Sequence, residues 1–250
     1  MAKFILAEKK EMTQKFTEDG TVIPVTKVLA GPCVVTQLKT DKKDGYTAVQ
    51  VGFGLKKNLA KPISGHLKNL GSFRYLKEFR IIDQEAKKLA LGDKITAKIF
   101  QAGDLVKATG TSKGRGFQGV VKRHGFHGSP ATHGHKDQLR HSGSIGAGGV
   151  QHVFKGVRMG GRMGGGQVTI TNLEIIEVDP EKNEIFIRGA VPGAKSNLLL
   201  ISGIGDLILE VEEKKSEIGM AKAEEKEPKL ETAKVETASE VAKEDPEKTK

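Results

Sequence analysis

Residues 107–166 cannot build a hydrophobic core of their own. Only about 17% of that window is Ile, Leu, Val or Phe, below the roughly 20% at which a chain stops burying enough apolar surface to fold. It carries ten Lys or Arg against one acidic residue, Asp137. It also holds six of the seven histidines and more than half of the 31 glycines. Apolar, periodic sequence stands on both sides of it. The flanks must therefore make the fold, and the window is an excursion whose shape is set from outside. So much unbalanced positive charge implies that the outside agent is a polyanion.

The flanks read as strands and turns. Thr21–Leu29 is rich in β-branched residues after the turn signal Asp19-Gly20, Val34–Leu38 follows Gly31-Pro32, and Tyr46–Val51 alternates with period two after Asp44-Gly45. Phe79–Ile82 and Ile95–Phe100 continue the rhythm, while Lys56–Leu76 reads as a surface loop with room for a short helix. Beyond the window, Val168–Thr171, Ile175–Val178, Glu184–Arg188 and Leu198–Ile201 are strand-like, separated by turns such as Asp179–Asn183. Strands about ten residues apart with Gly-rich turns indicate an antiparallel sheet or barrel, not βαβ units. Alone, neither flank would bury much surface. The expected architecture is thus mostly β: residues 1–106 and 167–209 close one antiparallel barrel, and 107–166 leave it as a long internal arm.

Charge divides the chain further. The net charge is +10, but residues 210–250 hold thirteen acidic and nine basic side chains, which leaves +14 on the rest. That last stretch, mostly Lys, Glu, Ala and Thr, reads as a disordered tail in which Glu–Lys pairs support transient helix. A membrane is a poor partner for the basic part, because no apolar run approaches the 18 residues needed and Phe4-Ile5-Leu6 is followed at once by Glu8-Lys9-Lys10-Glu11. No signal peptide is visible. The single cysteine, Cys33, excludes an internal disulfide, suits a reducing cytosol, and reads as a small buried side chain beside Val34-Val35.

Catalytic and cofactor motifs fare badly. Gly114-Arg115-Gly116-Phe117-Gln118-Gly119 has dinucleotide spacing, but Gly110–Lys113 ahead of it is turn-like where an apolar strand is required. No phosphate-binding P-loop occurs. The six window histidines lack the H-E-x-x-H spacing and any acidic cluster, so neither a metal centre nor a metal-dependent nuclease is expected. Ser112, Ser129, Ser142 and Ser144 have no strand–elbow–helix frame, and no paired carboxylates stand out. An enzyme is therefore not expected, nor a cofactor or small-molecule substrate. A plain flexible linker is opposed by the near absence of acid and by Phe117, Phe126, Phe154, Met159 and Met163 recurring among the cations. Arg forks match phosphates and rings stack on unpaired bases. An arm of this kind reads the phosphates, shape and 2′-hydroxyls of RNA. Service as a free RNA chaperone remains the competing use.

The run Gly110-Thr111-Ser112-Lys113-Gly114-Arg115-Gly116-Phe117-Gln118-Gly119-Val120-Val121-Lys122-Arg123 resembles the signature of the ribosomal protein L three family, bacterial type. Phe16–Gly20 with Ile23–Thr26, Ala131–Gly134, Gly143–Gly146, Val153–Gly156, Met159–Gly164 and Gly189–Gly193 agree in the same order, so the resemblance spans roughly Lys3 to Ile204. Lys107 departs from the Asp or Asn usual at its place in the family. The resemblance implies a translation-protein-like barrel on the surface of the large ribosomal subunit, in the cytoplasm. It further implies an arm reaching toward the peptidyl transferase region, and early binding near the 3′ end of the large (23S-type) rRNA. Neighbouring large-subunit proteins are the other implied partners. By position, Lys107, Lys113, Arg115, Lys122, Arg123, His133, Lys136, Arg140, Lys155, Arg158 and Arg162 become the expected RNA contacts.

Overall fold

The computed structural model describes residues 2–68 and 70–205. The expected disordered tail, 210–250, lies outside the described residues. In chain order the strands are β1 (Ala2–Phe16), β2 (Val22–Ala30), β3 (Cys33–Lys39), β4 (Ala48–Leu55), β5 (Phe73–Arg80), β6 (Lys94–Ile95), β7 (Leu105–Thr111), β8 (Phe117–Gln118), β9 (Gly161–Arg162), β10 (Gln167–Asp179), β11 (Glu184–Arg188) and β12 (Leu198–Ile204). Four short helices, α1 (Asp41–Asp44), α2 (Lys61–His66), α3 (Asp83–Ala86) and α4 (Val120–His124), lie in the connections. The protein is mostly β, and its strand pairs are antiparallel.

Six strands close on themselves in the order β1-β12-β7-β10-β11-β2, with β2 returning to β1. Both flanks of the window therefore contribute to one ring. Its interior follows the period-two rule: Val106 and Ala108 of β7 are buried while Leu105 and Lys107 are exposed. Cross-strand pairs such as Ile5↔Ile201 and Ile185↔Val28 bring fully buried side chains together. Gly110 faces Leu199 at the narrow end, where an added Cβ would lie 2.8 Å from the Leu199 side chain. Glycine is needed there for close approach. Thr26, the buried hydroxyl of β2, donates to the Gly189 carbonyl at 2.6 Å, which removes the penalty of burying it.

The single barrel expected from the sequence needs correcting, because four strands are not in the ring. They form a separate sheet in the order β5-β4-β3-β6. Phe4 through Ala7 are all buried, so this part of β1 is covered on both faces. One face lies inside the barrel, and on the other Phe4 stacks on Phe79 of the second sheet with ring centroids 4.5 Å apart. A run of four apolar residues is the signature of a strand buried on two sides. Burial raises the thiol of Cys33, at the start of β3, to about 12 and leaves it inert.

Local expectations shift as well. The longest strand, β1, was not foreseen, because its apolar start Phe4-Ile5-Leu6 is short and Glu8–Glu11 interrupts the pattern just where it leaves the core. β5 begins inside the expected loop at Phe73 and stops before Ile81. Of the expected strand Ile95–Phe100 only Ile95 pairs, together with Lys94 just before it, and a 3-10 turn at Ala97–Ile99 carries the chain away. The expected strands Val168–Thr171 and Ile175–Val178 are one strand, β10, with a register shift between Ile170 and Leu173 and a left-handed Asn172 (φ 57°). Asn tolerates that conformation better than any β-branched neighbour would.

Candidate nucleic-acid interface

The arm grows out of a hairpin of the barrel. β7 and β10 pair up to Thr111↔Gln167, so Lys107 is a barrel residue, exposed on the outer face opposite Ser202. Past Thr111 the two legs stay joined. Ser112 N–H donates to Gly166 O at 2.9 Å, Gly165 N–H to Ser112 O at 3.2 Å, Arg115 N–H to Met163 O at 2.9 Å, and Met163 N–H to Gly116 O at 3.0 Å. The short β8–β9 ladder follows, pairing Phe117 with Arg162 and Gln118 with Gly161. Gly164 sits at φ 78° with the Lys113 carbonyl where its Cβ would be. The stem is therefore too narrow at this point for any side chain.

Beyond the ladder the chain turns into α4, and the returning leg is tied to it. Arg123 Nη1 donates to the Met159 carbonyl at 2.9 Å, and the His124 ring nitrogen Nε2 lies 3.0 Å from the same oxygen. Between 112 and 166 a single residue, Val120, is buried. Backbone hydrogen bonds hold the arm in shape where a core cannot. Phe117 (80% exposed) and Phe154 (56%) turn their rings to solvent, an expensive arrangement unless a partner covers them.

All eleven residues expected from the sequence to meet RNA are exposed. Lys113, Arg115 and Arg162 share the stem, Lys122 and Arg123 share α4, and His133, Lys136 and Arg140 lie on the following turns. Lys155 and Arg158 are on the returning leg. Lys107 stands apart from the rest, on the barrel. Among the described residues none of these cations forms an ion pair. By contrast, Lys15, Lys27 and Arg188 on the barrel and Lys39 on the second sheet each reach a carboxylate within 2.9 Å. Those four cations are neutralised within the chain; among the described residues the arm's are not.

One cation escaped the sequence reading. Lys9 Nζ donates to the carbonyls of Val191 (2.9 Å) and Gly193 (3.1 Å) at the foot of the arm. Burial, with the positive charge of Lys113 nearby, pushes its ammonium below the ordinary lysine range. Nothing in the sequence near residue 9 connects it to residues 113 or 191, so no local signal was available. No group of three His, Cys, Asp or Glu able to hold a metal ion occurs among the described residues, and no helix there is long and apolar enough to cross a membrane.

Comparison with known proteins agrees with the motif reading. The family model described as Ribosomal protein L3 matches residues 68–190. The large ribosomal subunit protein uL3 of Herpetosiphon aurantiacus is 52% identical over 206 residues, covering 81% of this chain and 96% of the relative. The uL3 protein of Desulfitobacterium hafniense is 51% identical, covering 80% and 95%. That of Dehalococcoides mccartyi is 45% identical, covering 82% of this chain and all of the relative. Identity at this level across barrel and arm together leaves one assignment: the chain belongs to the ribosomal protein L3 family.

Proposed function

We propose that this protein is a structural constituent of the large ribosomal subunit, acting in the cytoplasm by clamping large-subunit rRNA and without catalysis of its own. The translation-protein-like barrel is the platform. The arm, 112–166, penetrates packed RNA helices toward the peptidyl transferase centre, and the barrel face with Lys107 rests on the RNA surface. Neighbouring large-subunit proteins complete its surroundings. The observation that supports this reading is the contrast between the paired cations of the two sheets and an arm whose cations have no carboxylate partner among the described residues. Such side chains neutralise phosphates and release the phosphates' condensed counterions into solution, which supplies a large share of the binding free energy. The backbone-bonded stem delivers the cations in a fixed order, and exposed rings such as Phe117 meet unpaired bases. Early binding near the 3′ end of the rRNA would let the arm be enclosed as the subunit compacts.

The test keeps the stem and removes the tip. Residues 119–160 are replaced by an Asn-Gly turn, which joins Gln118 to Gly161 across their existing pair. The barrel should melt as before, while the variant enters large subunits poorly and washes off at lower salt than the intact chain. Equal, equally salt-resistant incorporation would refute the arm's role. A protein that leaves when subunits mature would favour the chaperone reading.

A further inference from the structure

The tip of the arm holds a recess that the clamp alone does not require. Its walls come from three separate pieces of chain: the end of α4 with residues 125–129, residues 138–144, and Arg158. Hydrogen bonds fix all three. Ser129 N–H donates to Leu139 O at 3.2 Å and His141 N–H to Gln138 O at 3.2 Å, while the Met159 carbonyl beside Arg158 is held by Arg123 and His124. The open recess holds about 670 Å³, within the roughly 300–1,000 Å³ typical of sites for one small molecule. A duplex cannot enter it.

The lining is chemically one-sided. It contains His124, His127, His141 and Arg158 and no carboxylate. The side chains of His127, His141, Ser142 and Arg158 have no hydrogen-bond or ion-pair partner within the chain among the described residues. The histidines are not gathered closely enough for a metal ion. The only large apolar surface is Phe126, whose ring lies 6.0 Å from that of His124 at 44°. Donors, a guanidinium fork and a ring together match a phosphate, a ribose and a base.

We propose that this recess captures a single unstacked nucleotide of the RNA. Arg158 takes the phosphate as a bidentate donor, His141 and Ser142 reach the ribose and phosphate oxygens, and the base lies against Phe126 and His124. This rests on the RNA-binding reading above and adds what the arm selects: one nucleotide displaced from its helix. Recognition of splayed bases by rings and Arg is the usual source of sequence preference in RNA binders.

The experiment uses the full chain with two fluorescent RNAs, a duplex and the same duplex carrying one bulged 2-aminopurine nucleotide. The intact protein should bind the bulged RNA at least about tenfold more tightly, the effect of one base–aromatic contact, and quench the bulged base. The double variant R158Q/F126L should lose both the preference and the quenching while still binding the plain duplex. K113Q/R115Q, on the stem, should weaken both RNAs and keep their ratio. Equal affinity for the two RNAs, or a preference that survives in R158Q/F126L, overturns the proposal. Failure to bind either RNA at low salt overturns the RNA-binding reading itself, so the two failures are distinct. Thermal melting of the barrel checks that each variant is folded.

Discussion

Replacing Lys113, Arg115 and Arg162 by Gln should reduce the salt dependence of RNA binding by an amount the structure sets in advance. These three are the most tightly placed cations of the arm, on a stem joined by four backbone hydrogen bonds and a two-pair ladder. Their substitution removes charge without loosening the backbone. The arm proper carries nine exposed cations, from Lys113 to Arg162. Each phosphate neutralised contributes about 0.7–0.9 to the slope of log K against log salt. Full engagement therefore gives a slope near −7, and the triple variant should fall to about −4.5. Between 50 and 200 mM salt the intact protein should lose about 10⁴ in affinity and the variant only about 500-fold. Anisotropy titrations against a transcript of the 3′-terminal domain of large-subunit rRNA would measure both slopes. If the variant bound more weakly at every salt concentration but with an unchanged slope, these side chains would not be meeting phosphate and the electrostatic argument would be wrong.

Other perturbations separate geometry, core and charge. Gly164→Val drives a side chain into the Lys113 carbonyl, so the stem backbone must shift, in addition to a cost of about 1–2 kcal/mol for the left-handed conformation. It should lower RNA affinity about tenfold with the salt slope and barrel melting unchanged, as titration and calorimetry would show. Ile201→Ala empties a fully buried position facing Ile5 and Ala108 and should cost about 2–5 kcal/mol in urea unfolding. Leu105→Ala, on the exposed side of β7, should cost almost nothing. Glu78 accepts from Lys39 (2.8 Å) and the Tyr46 hydroxyl (2.8 Å), and these bonds hold its carboxyl below the ordinary glutamate range. Its stabilising contribution is present above that ordinary value and disappears as pH falls through the lowered one. Glu78→Gln should therefore lower the melting temperature near pH 7 and leave it unchanged at about pH 2, a convergence visible in melts across that range.

The parts of the molecule visible in the sequence are those where neighbours in the chain determine the answer. Period-two alternation in Tyr46–Val51 and the apolar run in Glu184–Arg188 identified strands, although both are buried on two faces, with Ala48, Val49 and Val51 and then Ile185, Phe186 and Ile187 all inside. The charge of the window identified the arm because nothing nearby opposes it. What pairs with what was not visible. Period two says which way a side chain points but not which sheet it faces, so β3–β6 could not be divided from the ring. β1 stayed hidden because its outer half, after Glu8 and up to Phe16, pairs with β2 and no longer with β12. The arm's cations were legible one by one. The convergence of His124, His141 and Arg158 was not, since it depends on irregular turns that bring distant residues together.

The position of β12 sets a timetable for biosynthesis. Lying between β1 and β7, it is the last of the described strands to be made, and its arrival closes the ring. A growing polypeptide leaves the translating ribosome with its first and seventh strands already emerged and their edges open, and nothing to fill the gap until residues 198–204 appear. At about 5–20 residues per second this interval is several seconds to about twenty. Unpaired edges attract foreign strands throughout that time. The cationic excursion is translated wholly within the same interval, so each newborn copy displays its unpaired positive charge before its scaffold can lock.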